Sequence, residues 1–114
     1  SEKERYKELE SAEKTAIVTA NTTHEIAIIE KQMIEDYCVP RYKAVKTDDD
    51  LKKVDSVCLA ARASYFSVKT AWSALITVIE AVKAKQQPEV AMEIAAQGVV
   101  EAMANLKQVV KSLK

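Results

Sequence analysis

Apolar residues recur at helical spacing over long stretches of this chain. Counted in alternating steps of three and four, one series runs Leu51, Val54, Cys58, Ala61, Tyr65, Val68, Trp72, Leu75, Ile79 and Val82, with no charged member. A seam of this kind marks a helix packed along its whole length. Leu59, Phe66 and Ile76 lie off the seam, and a helix with a second apolar strip is expected at the centre of the fold, against two neighbours. Met92, Ala95, Val99, Ala102, Leu106, Val109 and Leu113 repeat the spacing. A less regular stripe, Leu9, Ala12, Ala16, Thr19, Thr23, Ile26, Met33 and Tyr37, is interrupted by Glu30.

End signals divide these stripes into three helices, at about residues 2–37, 49–85 and 88–112. Ser1 and Glu4 have the spacing of a capping box, in which each side chain satisfies an orphan backbone donor. Val39 and Pro40 are expected to end the first helix, because proline has no N–H and pushes the preceding residue out of the α region. Thr47 or Asp48 caps the second, and Asp48, Asp49 and Asp50 place negative charge at the positive end of its dipole. Pro88 suits the first turn of the third, and Lys107, Lys111 and Lys114 suit its C-terminal end. The lone glycine, Gly98, falls inside this helix. It costs about 1 kcal/mol relative to alanine there, so a close approach to a neighbouring backbone is the expected compensation.

These elements predict an all-α fold, an elongated antiparallel up-down-up three-helix bundle in a single domain spanning residues 1–114. The stretch TANTTHE, residues 19–25, complicates the first helix, because Thr, Asn and His are poor helix interiors. Thr22 and Glu25 fit a second capping box, so the alternative is four helices, with a break near Asn21 and Thr22. A continuous or slightly bent helix is the preferred reading. Neither Gly nor Pro interrupts the run, and the flanking segments share a face. On that reading Thr19 and Thr23 face the core with their hydroxyls bonded to carbonyls one turn back.

Composition agrees with long helices. The chain has seventeen Ala but only one Gly and two Pro, where average usage would give roughly eight Gly and six Pro. Seventeen basic residues balance seventeen acidic ones, so the basic excess of a nucleic-acid binder is missing and no nucleic-acid partner is expected. No apolar run approaches the roughly 18 residues of a membrane span. An export signal or lipid anchor ahead of Ser1 would leave no trace in these residues.

Candidate chemistry is sparse. His24 is the lone histidine, and the HExxH pattern fails because position 28 is Ile28. It reads as a surface or boundary residue, not a metal ligand or general base. The Asp48 to Asp50 triplet lacks EF-hand spacing, and one glycine permits no phosphate-binding loop. No catalytic, metal or cofactor site is expected, and the chain does not read as an enzyme. Trp72 and Tyr65 read as core. Cys38 and Cys58 do not form a CxxC pair. They are expected to be joined in a disulfide, which implies an oxidising compartment. The segment between the first two helices carries Arg41, Tyr42 and Lys43, residue types suited to partner contact on a tethered loop.

The expected function is a non-enzymatic interaction module, a stiff helical bundle that binds another protein and is exported to the periplasm or the extracellular space. The alternative is a cytoplasmic assembly subunit with free thiols that forms homo-oligomers through its helix faces.

Overall fold

Ser1 opens the first helix with the expected capping box. Its hydroxyl accepts from the Glu4 N–H at 3.3 Å, and the Glu4 carboxylate accepts from the Ser1 amino group at 3.4 Å. The computed structural model describes residues 1–113, and the side chains of all of these except Arg5 and Tyr6. Lys114, an expected helix-end cation, lies outside the described residues. The three helices are α1 (Glu2–Lys43), α2 (Asp48–Lys83) and α3 (Val90–Ser112). The fold is 89% helical, and no strand occurs among the described residues.

All three helices pack against one another, in a rod of 67 × 21 × 16 Å. Pairings between α1 and α2 show the antiparallel course. Glu13 meets Lys83, Ala20 meets Trp72, Glu35 meets Arg62 and Cys38 meets Cys58. The start of α2 and the end of α3 share a core of Cys58, Ala61, Leu106, Val110 and Leu113. The opposite end buries Leu75, Ile79, Met92 and Val99 against Ala16 and Ala20. Each fully buried large side chain contributes about 1.5–3 kcal/mol relative to exposure. No helix among the described residues is long and apolar enough to cross a membrane.

The seam of α2 is buried as expected from Cys58 to Val82, apart from the half-buried Tyr65 and Trp72, while Leu51 at its start is exposed. The second strip behaves differently. Leu59 and Phe66 are 58% and 62% exposed. One seam is wide enough to touch both neighbours, because α1 and α3 also touch each other and the three helices close a triangle.

The first helix departs from expectation at both its register and its end. Its buried positions are Ala16, Ala20, Thr23, Ala27, Ile34 and Cys38, a mean step of about 3.7 residues, close to a straight helix. A heptad count drifts away from that spacing. Met33 is therefore 40% exposed, and its neighbour Ile34 is buried instead. The helix also runs through Pro40 to Lys43. Asp36, whose carbonyl loses a partner to the proline, is exposed, as is Pro40 itself, so the orphan acceptor lies on a solvated side. Only residues 44–47 remain as connector. Thr47 then caps α2, its hydroxyl accepting from the Asp50 N–H at 3.1 Å.

TANTTHE lies within α1 without a break, which removes the four-helix alternative. Among the described hydrogen bonds, neither Thr19 nor Thr23 bonds back to a carbonyl, unlike Ser64, which donates to the Ala61 carbonyl at 2.7 Å. The run faces Trp72. The indole N–H donates to the Ala20 carbonyl at 2.9 Å, and the His24 ring lies 5.2 Å from the Trp72 ring. Small Ala20 and Thr23 leave room for the indole beside the backbone.

Gly98 has no close neighbour. A Cβ built on it would meet nothing within 4 Å, so the expected backbone approach is not there. Past α2 the chain turns through Lys85 at φ 60°. The Lys85 N–H donates to the Val82 carbonyl and the Gln86 N–H to the Ala81 carbonyl, at 3.0 and 2.8 Å. This pair of bonds is the Schellman ending, in which glycine is the usual residue at the left-handed position.

Candidate docking groove between the first two helices

The distance between packed helices depends on the side chains at the contact. Tyr65 and Trp72 point from α2 toward α1, where α1 offers Ala20, Thr23 and Ala27. The resulting groove has two adjoining parts, of about 460 and 140 Å³, that share Tyr65 and Lys69. Its floor includes Ala27, Ile34, Val68 and Trp72. Two large apolar side chains stand on its edges, Ile28 from α1 at 53% exposure and Phe66 from α2 at 62%. Neither has a neighbour that removes it from water, and covering the half or so of each that is still exposed is worth about 1–2 kcal/mol apiece.

The edges are basic. Lys31 and Lys69 hang over the Tyr65 ring, their ammonium groups 5.3 and 6.0 Å from its centre. Neither ammonium has a carboxylate within salt-bridge distance among the described residues. The one carboxylate in the groove, Glu35, is committed. It accepts from Arg62 Nε and Nη2 at 3.0 Å each, a two-point pairing that fixes both side chains. This pair closes one end of the groove.

The disulfide lies just beyond that end. Cys38 and Cys58 are bonded, both fully buried, with Cα atoms 5.9 Å apart. The next turn of α1 carries the three residues singled out for partner contact. They form helix, not a flexible loop, because Pro40 does not stop α1. Tyr42 is half-buried, and its hydroxyl donates to Asp55 Oδ1 at 2.6 Å. That bond, with burial adding to it, raises the phenol above its ordinary pKa. The Arg62 guanidinium lies 5.2 Å from the Tyr42 ring, so this turn adjoins the groove. Arg41 donates to the Tyr37 carbonyl at 2.7 Å and stacks 3.4 Å from that ring's centre. Lys43 is exposed.

His24 is exposed beside Trp72 and lines the narrower part of the groove. Among the described residues no three His, Cys or carboxylate side chains gather closely enough to hold a metal ion. The sequence does carry a signal for this groove. Ile28, Lys31 and Glu35 on α1, and Arg62, Phe66 and Lys69 on α2, recur at steps of three and four just beside the seams. Reading Phe66 as packed against a second helix hides that signal. Compared with family models, with curated proteins and with solved structures, the chain finds no match in any of the three.

Proposed function

We propose that this protein is a non-enzymatic docking module that works in an oxidising compartment, the periplasm or the extracellular space, and binds another protein along its α1 and α2 groove. The observation that carries the reading is the groove itself, in which Ile28 and Phe66 stand exposed on a rigid bundle beside Lys31 and Lys69, neither ion-paired among the described residues. Apolar anchors with a charged rim make a protein contact site, because the anchors supply affinity and the rim supplies steering and register. Helices, a disulfide and the Glu35 to Arg62 pairing hold the site in place, so little entropy is lost on binding. Arg41, Tyr42 and Lys43 extend the same basic edge past Arg62 and form its outer contact. The disulfide supports the compartment, since reducing cytosols keep such pairs as thiols.

The reading is tested by affinity capture from the native compartment with the wild-type protein and with Ile28→Asp and Phe66→Asp. A partner held by the wild type and lost by both variants supports the groove. A partner held equally by all three places the contact elsewhere.

A further inference from the structure

A second exposed apolar surface lies on α3, and its chemistry is the inverse of the groove's. Val90, Ile94 and Val100 are 52%, 67% and 52% exposed. Val90, Ile94, Gln97 and Glu101 follow one another by four, three and four residues, so they form a single ridge along the outer face of the helix. Glu101 on the ridge and Glu93 beside it are its charged residues, and no base follows until Lys107. Both glutamates lack a cationic partner among the described residues. One molecule thus presents an apolar groove rimmed by two lysines and an apolar ridge with two glutamates, none of them ion-paired among the described residues.

We infer that the ridge of α3 in a second copy of this chain occupies the α1 and α2 groove. The inference rests on the docking reading above and names the partner. A helix laid in the groove completes a fourth position beside α1 and α2, the usual way an exposed pair of helices buries its remaining apolar surface. Ile94 enters between Ile28 and Phe66, and Glu93 and Glu101 approach Lys31 and Lys69. Net charge is zero, so copies meet without overall repulsion and the local complementarity decides the contact. The two surfaces are different, so the contact is heterologous, and each molecule keeps one unused groove or ridge. Association therefore extends into chains of copies or closes into a ring, and does not stop at an isologous dimer. The exposed charges make it weaker as salt is raised.

The test uses the full chain, oxidised, in sedimentation velocity over a concentration series. Wild type is expected to show concentration-dependent species beyond the dimer. Phe66→Asp removes the groove and Ile94→Asp removes the ridge, and each alone is expected to raise the apparent Kd at least about tenfold, to a monomer. Mixed together they are expected to form a 1:1 complex that grows no further, because one retains a working ridge and the other a working groove. Both positions are exposed in the wild type. Should either variant fail to fold by circular dichroism, Lys69→Glu and Glu93→Lys take their places; each alone sets like charges against each other and is expected to be monomeric, and the mixture, in which opposite charges meet at both contacts, is expected to regain growth beyond the dimer. A wild type that stays monomeric overturns the inference. So does self-association that Phe66→Asp abolishes and Ile94→Asp leaves intact, which signals a groove-to-groove dimer, and so does a mixture that fails to pair. A monomeric wild type that still captures another protein through Phe66 removes only the second copy. Capture indifferent to Phe66 removes the docking reading as well.

Discussion

Replacing Cys38 and Cys58 together by alanine tests what holds the groove's closed end. The two residues are 20 apart in sequence. Releasing a closed loop of that size restores chain entropy to the unfolded state worth about 3 kcal/mol at 25 °C. A chain of 114 residues has an unfolding entropy near its midpoint of about 0.24 kcal/mol/K. The two values together give a fall in Tm of about 12 °C. Both residues are fully buried, so the lost sulfur contacts add to the fall. The assay is thermal and urea unfolding of the oxidised wild type and the double variant, followed by helical circular dichroism. The urea m-value is expected to rise in the variant, because an unlinked unfolded chain exposes more surface. A midpoint within about 3 °C of wild type would refute the reasoning. It would show that packing of the α1 end, with Tyr42 bonded to Asp55, already restricts this segment without the bond.

Gly98→Ala is expected to stabilise the protein by about 0.5–1 kcal/mol, since a Cβ there meets nothing and helix propensity improves. A loss of stability in urea would reveal a contact the geometry lacks. Lys85→Gly relieves the left-handed turn after α2 and is expected to add up to about 1 kcal/mol, read by the same assay. Trp72→Ala is expected to be the most damaging seam substitution, at about 3 kcal/mol or more. Trp72→Phe, which loses mainly the bond to the Ala20 carbonyl, costs about 1 kcal/mol. Equal melting of Trp72→Ala and wild type would contradict both. Tyr42 ionises above the ordinary tyrosine range because its hydroxyl donates to Asp55. Its stabilisation is complete below the unfolded phenol pKa of about 10 and is lost as pH rises through the higher folded value. Ultraviolet titration should therefore show a late phenol that disappears in Tyr42→Phe, and a substitution that leaves a late phenol in place and removes one from the ordinary range would exclude the bond.

The seams of α2 and α3 were legible because their spacing is regular and their alternatives are few. Cys58, Val68, Leu75, Val99 and Leu106 are all buried where a count by threes and fours puts them. The α1 register was harder to read. Its core side is built from Ala16, Ala20, Thr23 and Ala27, whose small side chains give little contrast, and a heptad count chooses Met33 over Ile34. Pro40 misleads for a related reason. Its penalty depends on where the orphaned carbonyl faces, and that follows from a register the small residues leave undetermined. The disulfide was legible from two cysteines flanking one connector, although the connector proved shorter than expected and α1 longer. The groove's residues stand out in the sequence as flanks of the seams, but not as a groove, because apolar residues beside a seam have the same pattern whether a neighbour covers them or water does. Phe66 and Leu59 are exposed only because α1 and α3 close against each other on the opposite side.

The claim that the groove is a docking surface is tested most directly by placing a photo-crosslinking p-benzoylphenylalanine at Phe66 and, separately, at Ile29. Both positions are about 60% exposed, at 62% and 60%, but Ile29 does not line the groove. Irradiation of the protein in its native compartment, followed by intact-mass and peptide mapping, reports what lies against each site. The account predicts a discrete adduct with one protein from position 66 and none from position 29, and the adduct should disappear when Ile28→Asp is added. Equal adducts from both positions, or none from position 66, would contradict it.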